Sequence, residues 1–430
     1  MHRALVLAAL VLGCAGSRDD SHTVYVTVGT DALASVTALA AKHGEPMRLL
    51  EANHEAALVA LEDDELDQLS HLMHEQFDRC GGFMAHDSLA DARAALQQPP
   101  PAVTPDYTLD RAAIVAGVLP ALDKERIRAT IGELSAMQNR YYRSDTGAAA
   151  STWLRDRWRS FSTRPDVTIE LFDQGYPQKS VIMTIPGTTL ANEVVVIGGH
   201  LDSITMLGGK TGRAPGADDD ASGIATLSEV ARALLAADYR PARTIKFIAY
   251  AAEEIGLRGS QAIVKEFKKR GINVVGALQL DMTNYKGSEK DIWLMKDFTN
   301  AAQNTFVTQL IDTYVGATWG LDACGYACSD HASWYRAGVP ASMPFESRMR
   351  DRNMQIHTAN DTLETSNNNA EHALKFARLG AAYAIELGKG ELGGAQIHSA
   401  SHDDGGGSPW KWLAVIGGLA VVAGALIRRR

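Results

Sequence analysis

The chain has 430 residues, of which 46% are hydrophobic and 22% are charged, so it is long enough for one sizeable domain with smaller accessory segments. Its 51 acidic and 42 basic side chains give a formal net charge of −9. This balance excludes a nucleic-acid-binding role that depends on a basic surface, and it disfavours anionic surfaces as partners.

Residues 1–20 have the pattern of an export signal. Arg3 precedes an apolar run, residues 4–12, which small residues follow. A short basic and apolar segment of this kind is typical of a secretory signal peptide, so we expect an exported protein, secreted or held at the cell surface. The run Val11-Leu12-Gly13-Cys14 also resembles a bacterial lipobox, which makes Cys14 an alternative lipid anchor.

Residues 21–101 are predicted to form a small α+β propeptide. Residues 24–28 are rich in β-prone side chains, and residues 62–73 have a helical pattern. Residues 99–101 are three consecutive prolines, which resist compact structure and stay extended. They mark the linker at which this region would be removed.

Residues 102–390 are predicted to form the catalytic domain. Apolar, β-rich runs alternate here with helical patterns such as residues 223–235 and 261–269. Such alternation indicates an α/β fold with a mixed, mostly parallel central sheet flanked by helices.

Acids and histidines follow several of these apolar runs. Residues 194–197 precede His200, and residues 245–250 precede Glu253 and Glu254. In open α/β sheets, ligands bind outside the carboxyl ends of the strands, so such side chains converge although they lie far apart in sequence. The further members of this set are Asp202, Asp218, Asp219, Asp220, Asp281 and His357.

Imidazole nitrogen and carboxylate oxygen are ligands of zinc, and paired catalytic metals lie about 3.5 to 4 Å apart. Two histidines and three carboxylates are enough for two ions, if one carboxylate bridges them. Three adjacent acids cannot all face one metal. Asp218 and Asp220 are therefore interpreted as helix-capping or hydrogen-bonding residues.

With these residues, the chain resembles the secreted bacterial leucyl aminopeptidases, a family of co-catalytic di-zinc exopeptidases. The resemblance extends from about residue 107 to residue 390, and a short part of the propeptide, residues 73–75 and 79–82, resembles the propeptides of the same enzymes. It is carried by GGHLDS (198–203), APGADDDASGIA (214–225), AYAAEEIGLRGS (249–260), LQLDMTNYKG (278–287), CGYACSDHASW (324–334), MPFES (343–347) and IHT (356–358).

The resemblance implies two zinc ions, each with one histidine and one carboxylate of its own and a shared carboxylate between them. One ion would take His200 and Asp281, the other Glu254 and His357, and Asp219 would bridge them. Glu253 would be the general base. Asp202 would orient the His200 imidazole through its other nitrogen.

A zinc-bound water is largely hydroxide near neutral pH, and zinc also polarises a carbonyl group. Glu253 would accept the proton of this water and return it to the leaving amine. Tyr326 would stabilise the oxyanion, or alternatively serve in ordinary loop packing. Since a carboxylate-rich metal site suits a free α-amine, we expect peptides with a free N-terminus as substrates and an exopeptidase rather than an endopeptidase.

The resemblance further implies a hydrophobic pocket for a leucine-like first residue. Its lining would be Met282, Met295, Cys324, Cys328, Met343, Phe345 and Ile356. Met349 and Arg352 stand where the family often has aromatic residues. A flexible methionine would make the pocket broader or deeper, whereas Arg352 at the rim would favour acidic side chains.

The cysteines agree with export. Cys324 and Cys328 are close enough for a local disulfide, which an oxidising compartment favours and the resemblance implies as part of the pocket wall; two free thiols are the alternative. Cys80 is left over. Its thiolate would cap an active-site zinc in the precursor, or it is a partly buried structural cysteine.

The C-terminal residues are predicted to form a sorting signal rather than part of the folded domain. Residues 391–408 are a flexible linker rich in glycine, serine and histidine, and residues 409–430 contain an apolar run closed by three arginines. This arrangement resembles the carboxy-terminal glycine-glycine sorting tags of some bacteria. Export and sorting machinery would then be partners, with a transient membrane segment; a permanent tail anchor is the alternative.

Three other functions share some of these features. A di-zinc carboxypeptidase or dipeptidase has the same ligand types but needs a basic group for the substrate carboxylate. A glutaminyl cyclase of related fold uses one zinc, and a catalytically inactive binding homologue would lose ligands that are present here. We expect a monomer, and the sequence leaves the preferred first residue open.

Overall fold

The computed structural model describes residues 23–43, 47–77, 79, 81–206 and 208–393. The predicted export signal, Cys14, Cys80, the predicted linker beyond residue 393 and the predicted segment 409–430 lie outside these residues. In the part of the chain so described, no helix has both the length and the apolar character needed to cross a bilayer.

The N-terminal region is an antiparallel sheet packed with helices. Its elements are β1 (Thr23–Gly29), α1 (Leu33–His43), β2 (Arg48–Ala52), β3 (Ala56–Glu62), α2 (Leu66–Phe77), β4 (Phe83–His86) and α3 (Leu89–Ala95). The strands lie in the order β2-β3-β1-β4. The α+β prediction is confirmed, but α2 begins four residues later than residue 62, because Glu62 still pairs with Thr23 in the sheet.

The catalytic region alternates helices and strands. Its helices are α4 (Ala112–Val118), α5 (Lys124–Ser135), α6 (Asp145–Arg159), α7 (Ala221–Ala236), α8 (Arg258–Lys269), α9 (Ala301–Leu310), α10 (His331–Arg336) and α11 (Glu371–Gly388). Its strands are β5 (Thr168–Phe172), β6 (Ser180–Ile185), β7 (Leu190–His200), β8 (Tyr239–Arg240), β9 (Arg243–Tyr250), β10 (Asn273–Gln279), β11 (Ile292–Met295), β12 (Trp319–Asp322), β13 (Ala341–Ser342), β14 (Pro344–Phe345) and β15 (Glu391–Leu392).

The central sheet has the order β13-β10-β7-β9-β6-β5. Strands β13, β10, β7 and β9 are parallel, and β6 and β5 continue the sheet in antiparallel pairing. In register, Val196 of β7 lies between Ala277 of β10 and Lys246 of β9. The predicted mixed, mostly parallel α/β fold is confirmed. A smaller sheet, β12-β11-β14, lies beside it.

The position of β7 between two hydrophobic cores explains why its sequence is a continuous apolar run. Val195 and Ile197 belong to the core shared with α7 and α11, whereas Val194 and Val196 belong to the core shared with α8 and α10. Because successive side chains of a strand point to opposite faces, a strand covered by helices on both sides needs apolar residues at every position.

Helix α7 begins at the same edge of the sheet. The Asp220 side chain accepts a hydrogen bond from the Gly223 N–H at 2.8 Å and caps the helix. A Cβ atom on Gly223 would lie 2.2 Å from the Leu280 carbonyl oxygen. Only glycine therefore lets the first turn of α7 approach the end of β10 so closely.

The N-terminal region covers this edge. Its apolar core, which includes Val26, Val28 and Met73, continues into Ile204, Ala252 and Ile255 of the catalytic region. These three residues flank the acids that follow β7 and β9. The predicted propeptide thus packs directly over the predicted site.

Candidate metal centre

Neighbouring parallel strands bring the predicted ligands to one edge of the sheet. His200 is the last residue of β7, Glu254 follows the end of β9 by four residues, and Asp281 follows the end of β10 by two. Asp219 directly precedes the cap of α7, and His357 comes from the loop after β14. All five side chains are buried.

Asp219 lies between the two histidines. Its Oδ1 is 2.9 Å from His200 Nε2, and its Oδ2 is 3.2 Å from His357 Nε2. Each histidine also has a carboxylate of its own: Asp281 Oδ1 lies 3.6 Å from His200 Nε2, and Glu254 Oε2 lies 2.8 Å from His357 Nε2. The five residues therefore form two donor groups that share one carboxylate.

These donors fit metal ions because many of their atoms lack hydrogen-bond partners. Within the described structure this holds for both carboxylate oxygens of Glu254 and of Asp281, for Asp219 Oδ2 and for His357 Nε2. Buried polar atoms are nearly always hydrogen-bonded, since leaving them unpaired is costly. Imidazole nitrogens and carboxylate oxygens that converge without partners are the donor set that zinc takes.

Asp220 also lies near His200 and Asp281, within reach of a shared cation. Its oxygens are already used, however. Oδ1 accepts from the N–H groups of Gly223 at 2.8 Å and Met282 at 3.1 Å, and Oδ2 accepts from the His200 N–H at 3.0 Å. We therefore assign Asp220 a structural role, in line with the predicted helix cap.

Asp218, the third of the adjacent acids, also makes hydrogen bonds away from the ligand atoms. It accepts from the Asn284 N–H at 3.3 Å and from the Asn353 side chain at 3.2 Å. Burial raises its pKa to about 6. Both neighbours of Asp219 thus have structural partners.

Asp202 links three members of the site. Its Oδ1 lies 3.5 Å from His200 Nδ1, and its two oxygens accept from the N–H groups of Glu253 and Glu254 at 3.1 Å each. One buried carboxylate thus lies beside an imidazole and fixes the backbone of the tandem glutamates, which is the position expected of a residue behind a metal ligand.

Asp361 has a comparable role that the sequence did not reveal. Its carboxylate accepts from the N–H groups of Asp218 and Asp219 at 3.1 Å and from the Asn353 side chain at 3.1 Å. It thereby ties the loop of the shared carboxylate to the loop of His357. The only sequence signal is a single acid four residues after His357, which has no distinctive pattern.

The charges of the site are strongly coupled. Burial and the Asp219 carboxylate raise the pKa of Glu254 to about 7, and burial raises the pKa of Glu253 well above its usual range. Burial alone would lower the pKa of His357, but Glu254 and Asp219 raise it to about 10. The carboxylates and imidazoles retain protons at positions where bound cations would replace them.

Comparison with known proteins agrees with this geometry. Residues 180–381 match peptidase family M28. Leucine aminopeptidase 1 of Arthroderma otae is 38% identical over 311 residues, which cover 69% of this chain and 82% of that protein. The enzyme of the same name from Coccidioides posadasii is 38% identical, covering 65% of this chain and 74% of that protein.

The chain belongs to peptidase family M28. It is a metalloaminopeptidase. Among solved structures, the LapA aminopeptidase of Legionella pneumophila superimposes with a TM-score of 0.75 at 30% identity, over 86% of this chain and 99% of LapA. LapB of the same organism gives 0.73 at 29% identity, over 85% of this chain and 100% of LapB. Both matches extend beyond the catalytic region, so the fold similarity includes the N-terminal region.

The residues predicted to line a first-residue pocket of this M28 enzyme belong to a buried apolar cluster beside the predicted ligands. The cluster consists of Met282, Trp293, Met295, Cys324, Cys328, Met343, Phe345, Met349 and Ile356. Met282 directly follows Asp281, and Ile356 directly precedes His357. Both Met282 and His357 have left-handed backbone conformations, which turn the chain sharply where the pocket meets the ligands.

Trp293 is the member that sequence reasoning missed. In β11, Ile292 and Leu294 point into the main core, whereas Trp293 and Met295 point into the pocket cluster. Since Met295 was predicted to line the pocket, the two-residue period of a strand would have included Trp293 as well.

Arg352 was expected at the rim of the pocket, but its side chain is buried. It is 1% exposed, and its Nη1 and Nη2 donate to the carbonyl oxygens of Met349 at 3.2 Å and His74 at 3.3 Å. His74 belongs to α2 of the N-terminal region. Arg352 is therefore buried because that region covers it.

The remaining predicted residues are the two cysteines of the cluster and Tyr326. Cys324 and Cys328 form a disulfide, and Cys328 Sγ lies 4.0 Å from Met343 Sδ in the pocket cluster. The Tyr326 ring packs edge-on against Phe298 at 5.2 Å, and a Cβ atom on Gly29 of β1 would lie 3.2 Å from the Tyr326 Cβ. In the full-length chain these contacts favour the packing role of Tyr326, and its oxyanion role stays a prediction.

The N-terminal region reaches the centre itself. The Gly82 N–H donates to the Ala327 carbonyl oxygen at 3.1 Å. A Cβ atom on Gly81 would lie 3.3 Å from the Ala327 oxygen and 3.5 Å from Glu253 Oε1. The M28 site is therefore covered, at the predicted general base, by the backbone of residues 81 and 82.

Proposed function

We propose that this M28 enzyme is an exported di-zinc aminopeptidase that removes N-terminal, preferentially hydrophobic residues from peptides. The single observation that supports this best is the position of Asp219 between His200 and His357, each with a carboxylate of its own. Two ions that share one carboxylate need this arrangement.

His200 and Asp281 would hold one zinc, Glu254 and His357 the other, and Asp219 would bridge them. When bound, zinc lowers the pKa of a coordinated water and polarises the carbonyl group of the scissile bond. Every other contribution must come from the side chains around it.

Glu253 is proposed as the general base. Neither of its carboxylate oxygens has a hydrogen-bond partner within the described residues, and its N–H is held by Asp202. Burial raises the pKa of this carboxyl group, so it holds a proton more readily than a solvated glutamate, as a group that carries a proton between two atoms must. Glu253 would take a proton from the attacking water and deliver it to the leaving nitrogen.

The apolar cluster would hold the side chain of the first residue. It lies directly next to Asp281 and His357, so a side chain placed there brings the adjacent peptide bond to the predicted metals. The carboxylates around the centre suit a free, positively charged α-amine. These two features together support an aminopeptidase that prefers leucine-like residues.

Residues 21–101 are proposed to keep the precursor latent until they are removed. Support comes from Gly81 and Gly82, whose backbone lies against Glu253 and Ala327. Residues 98–111 form no helix or strand, and none of them is buried, so the linker is open to proteases. Activation outside the cell would follow from this arrangement.

The test compares a leucyl peptide with its N-acetylated and its C-terminally amidated forms, using zinc-loaded enzyme freed of residues 1–101. We expect cleavage of the free-amine and amidated peptides, with no cleavage of the acetylated one. Equal cleavage of the acetylated peptide would indicate an endopeptidase, and loss of activity on the amide would indicate a carboxypeptidase.

The variant Glu253→Gln tests the general base. Its kcat should fall about 100- to 10,000-fold, because a positioned base contributes that much, while bound zinc is retained. Glu266→Gln on α8 is the matched control and should behave like the unmodified enzyme. An active Glu253→Gln variant would refute the assigned role.

A further inference from the structure

His74 of α2 is a buried histidine that the proposed mechanism does not use. Its side chain is 3% exposed, although it belongs to the N-terminal region rather than to the catalytic region. The centroid of its ring lies 5.0 Å from that of His357, with the ring planes inclined by 44°. A third imidazole therefore stands at the metal centre of the full-length chain.

The backbone of His74 is held in place from the catalytic side. Its carbonyl oxygen accepts from Arg352 Nη2 at 3.3 Å, and the Arg79 N–H donates to the preceding carbonyl oxygen, that of Met73, at 3.2 Å. These contacts fix the end of α2 over the site. Two hydrogen bonds to backbone carbonyl oxygens thus hold the segment that carries the imidazole.

The two ring nitrogens have different surroundings. Nδ1 lies 3.4 Å from Glu75 Oε1, which is largely exposed. Neither ring nitrogen has a hydrogen-bond partner among the residues that the structure describes, so the Glu75 carboxylate is what distinguishes the two. A carboxylate next to one nitrogen favours the proton there, which leaves the lone pair of the other nitrogen available to a metal.

The ring separation agrees with a shared ion. Zinc–nitrogen bonds of about 2.0 to 2.1 Å and tetrahedral angles place the centroids of two imidazoles on one zinc roughly 5 Å apart. The distance of 5.0 Å between His74 and His357 has this value.

We propose that His74 is a ligand of the zinc held by Glu254 and His357 in the full-length chain. This inference rests on the proposed di-zinc function. His74 Nε2 would occupy the coordination position that the water or the substrate amine needs, so the N-terminal region blocks the site by direct coordination. Removal of that region would remove the ligand and open the position.

This assignment differs from the cap predicted from the sequence, the Cys80 thiolate. Cys80 lies outside the described residues, whereas His74 is described and faces the centre. The two ligands have different signatures, because a thiolate bound to cobalt(II) absorbs strongly in the near ultraviolet and an imidazole does not.

The test loads the full-length chain with cobalt(II) and records its visible spectrum, together with the dissociation constant for zinc. His74→Ala should change the cobalt spectrum and weaken zinc binding by about tenfold or more, as the loss of one ligand requires. The control His71→Ala, one turn earlier on α2, should do neither. Identical spectra and affinities for His74→Ala and the unmodified chain would overturn the proposal.

A near-ultraviolet band that disappears in Cys80→Ser would overturn it in favour of the thiolate. A full-length chain that binds no metal would instead refute the proposed metal centre, and the inference with it. If His74→Ala does not fold, X-ray absorption at the zinc edge of the unmodified chain decides. Removal of the N-terminal region should reduce three imidazoles per two ions to two, and an unchanged number would refute the role of His74.

Discussion

Buried polar side chains of the N-terminal region and of the predicted metal centre differ in whether they have hydrogen-bond partners. In the N-terminal region, the buried His86 makes a hydrogen bond to Thr27 at 2.9 Å, and Glu65 caps the turn that precedes α2. In the catalytic region, the oxygens of Glu254 and Asp281 face other ligand atoms without hydrogen bonds. Paired buried groups stabilise a fold, whereas converging unpaired groups indicate a binding site, and His74 is an N-terminal residue with unpaired ring nitrogens that lies beside the centre.

The largest expected effect comes from the shared carboxylate. Asp219→Asn should lower kcat/KM of the activated enzyme at least about 1,000-fold, because an amide is a poor bridge between two cations. Zinc content, measured by elemental analysis, should fall as well.

The neighbouring substitution Asp218→Asn is the matched control. Asp218 bonds to Asn284 and Asn353 rather than to the ligands. It should retain zinc and lose less than about tenfold in activity, since only hydrogen bonds behind the site change. Equal losses in the two variants would mean that the acids act as one structural unit.

A paired histidine should make the N-terminal region sensitive to acid. Burial lowers the pKa of His86 from 6.5 to about 4. Because the folded form has the lower pKa, the stabilisation is complete above pH 6.5 and is lost as the pH falls towards 4. The loss is about 3 kcal/mol, since one pKa unit corresponds to about 1.4 kcal/mol.

Denaturant unfolding of the full-length chain at pH 7 and at pH 4.5 measures this loss. His86→Gln should have a smaller pH-dependent decrease in the free energy of unfolding than the unmodified chain. Other buried histidines, such as His331, are common to both proteins and cancel in the difference. The same decrease in both would contradict the assignment.

Gly81 tests the fit between the two regions. The branched side chain of Gly81→Val would meet the Ala327 carbonyl oxygen and Glu253. Overpacking costs about 1 to 3 kcal/mol, so the residual activity of the zinc-loaded precursor should rise about tenfold or more. A fluorogenic leucyl substrate measures this activity.

Gly132→Ala in α5 is the control, because its nearest neighbour outside the helix is 3.8 Å away, at Leu363. It should leave latency unchanged. If the Gly81→Val precursor is as inactive as the unmodified one, the backbone around residues 81 and 82 shifts to accommodate valine without exposing the site.

The smallest expected effect concerns an ion pair across the interface. Asp63 Oδ1 lies 2.6 Å from Arg258 Nη1, and Asp63 also contacts Arg143. When the chain is cut in the linker, the two regions can remain associated as a complex. Asp63→Asn should weaken this association by about 1 kcal/mol, or about fivefold in the dissociation constant. The exposed neighbour Asp64→Asn should have no effect, and equal dissociation constants for both variants would exclude a role for the pair.

The sequence was sufficient to predict an element or a site where the pattern is periodic or the motif lies within one short segment. The apolar run of residues 194–197 predicted a strand, now seen as β7, and the helix predicted over residues 223–235 corresponds to α7. Acids and histidines directly after such strands predicted one site, since parallel neighbours end at the same edge. The start of α2 was placed too early because strand pairing at Glu62 depends on a distant partner, Thr23.

Only the tertiary structure decided which distant residues act together. Asp361 has no local pattern, and its importance comes from the backbone N–H groups of Asp218 and Asp219, more than 140 residues earlier in the chain. His74 belongs to no strong metal-binding motif in the sequence, yet the packing of α2 places it beside His357. Local sequence determines strands, helices and the chemistry of their ends, whereas the contacts of a folded chain depend on the burial of whole faces, which no short segment encodes.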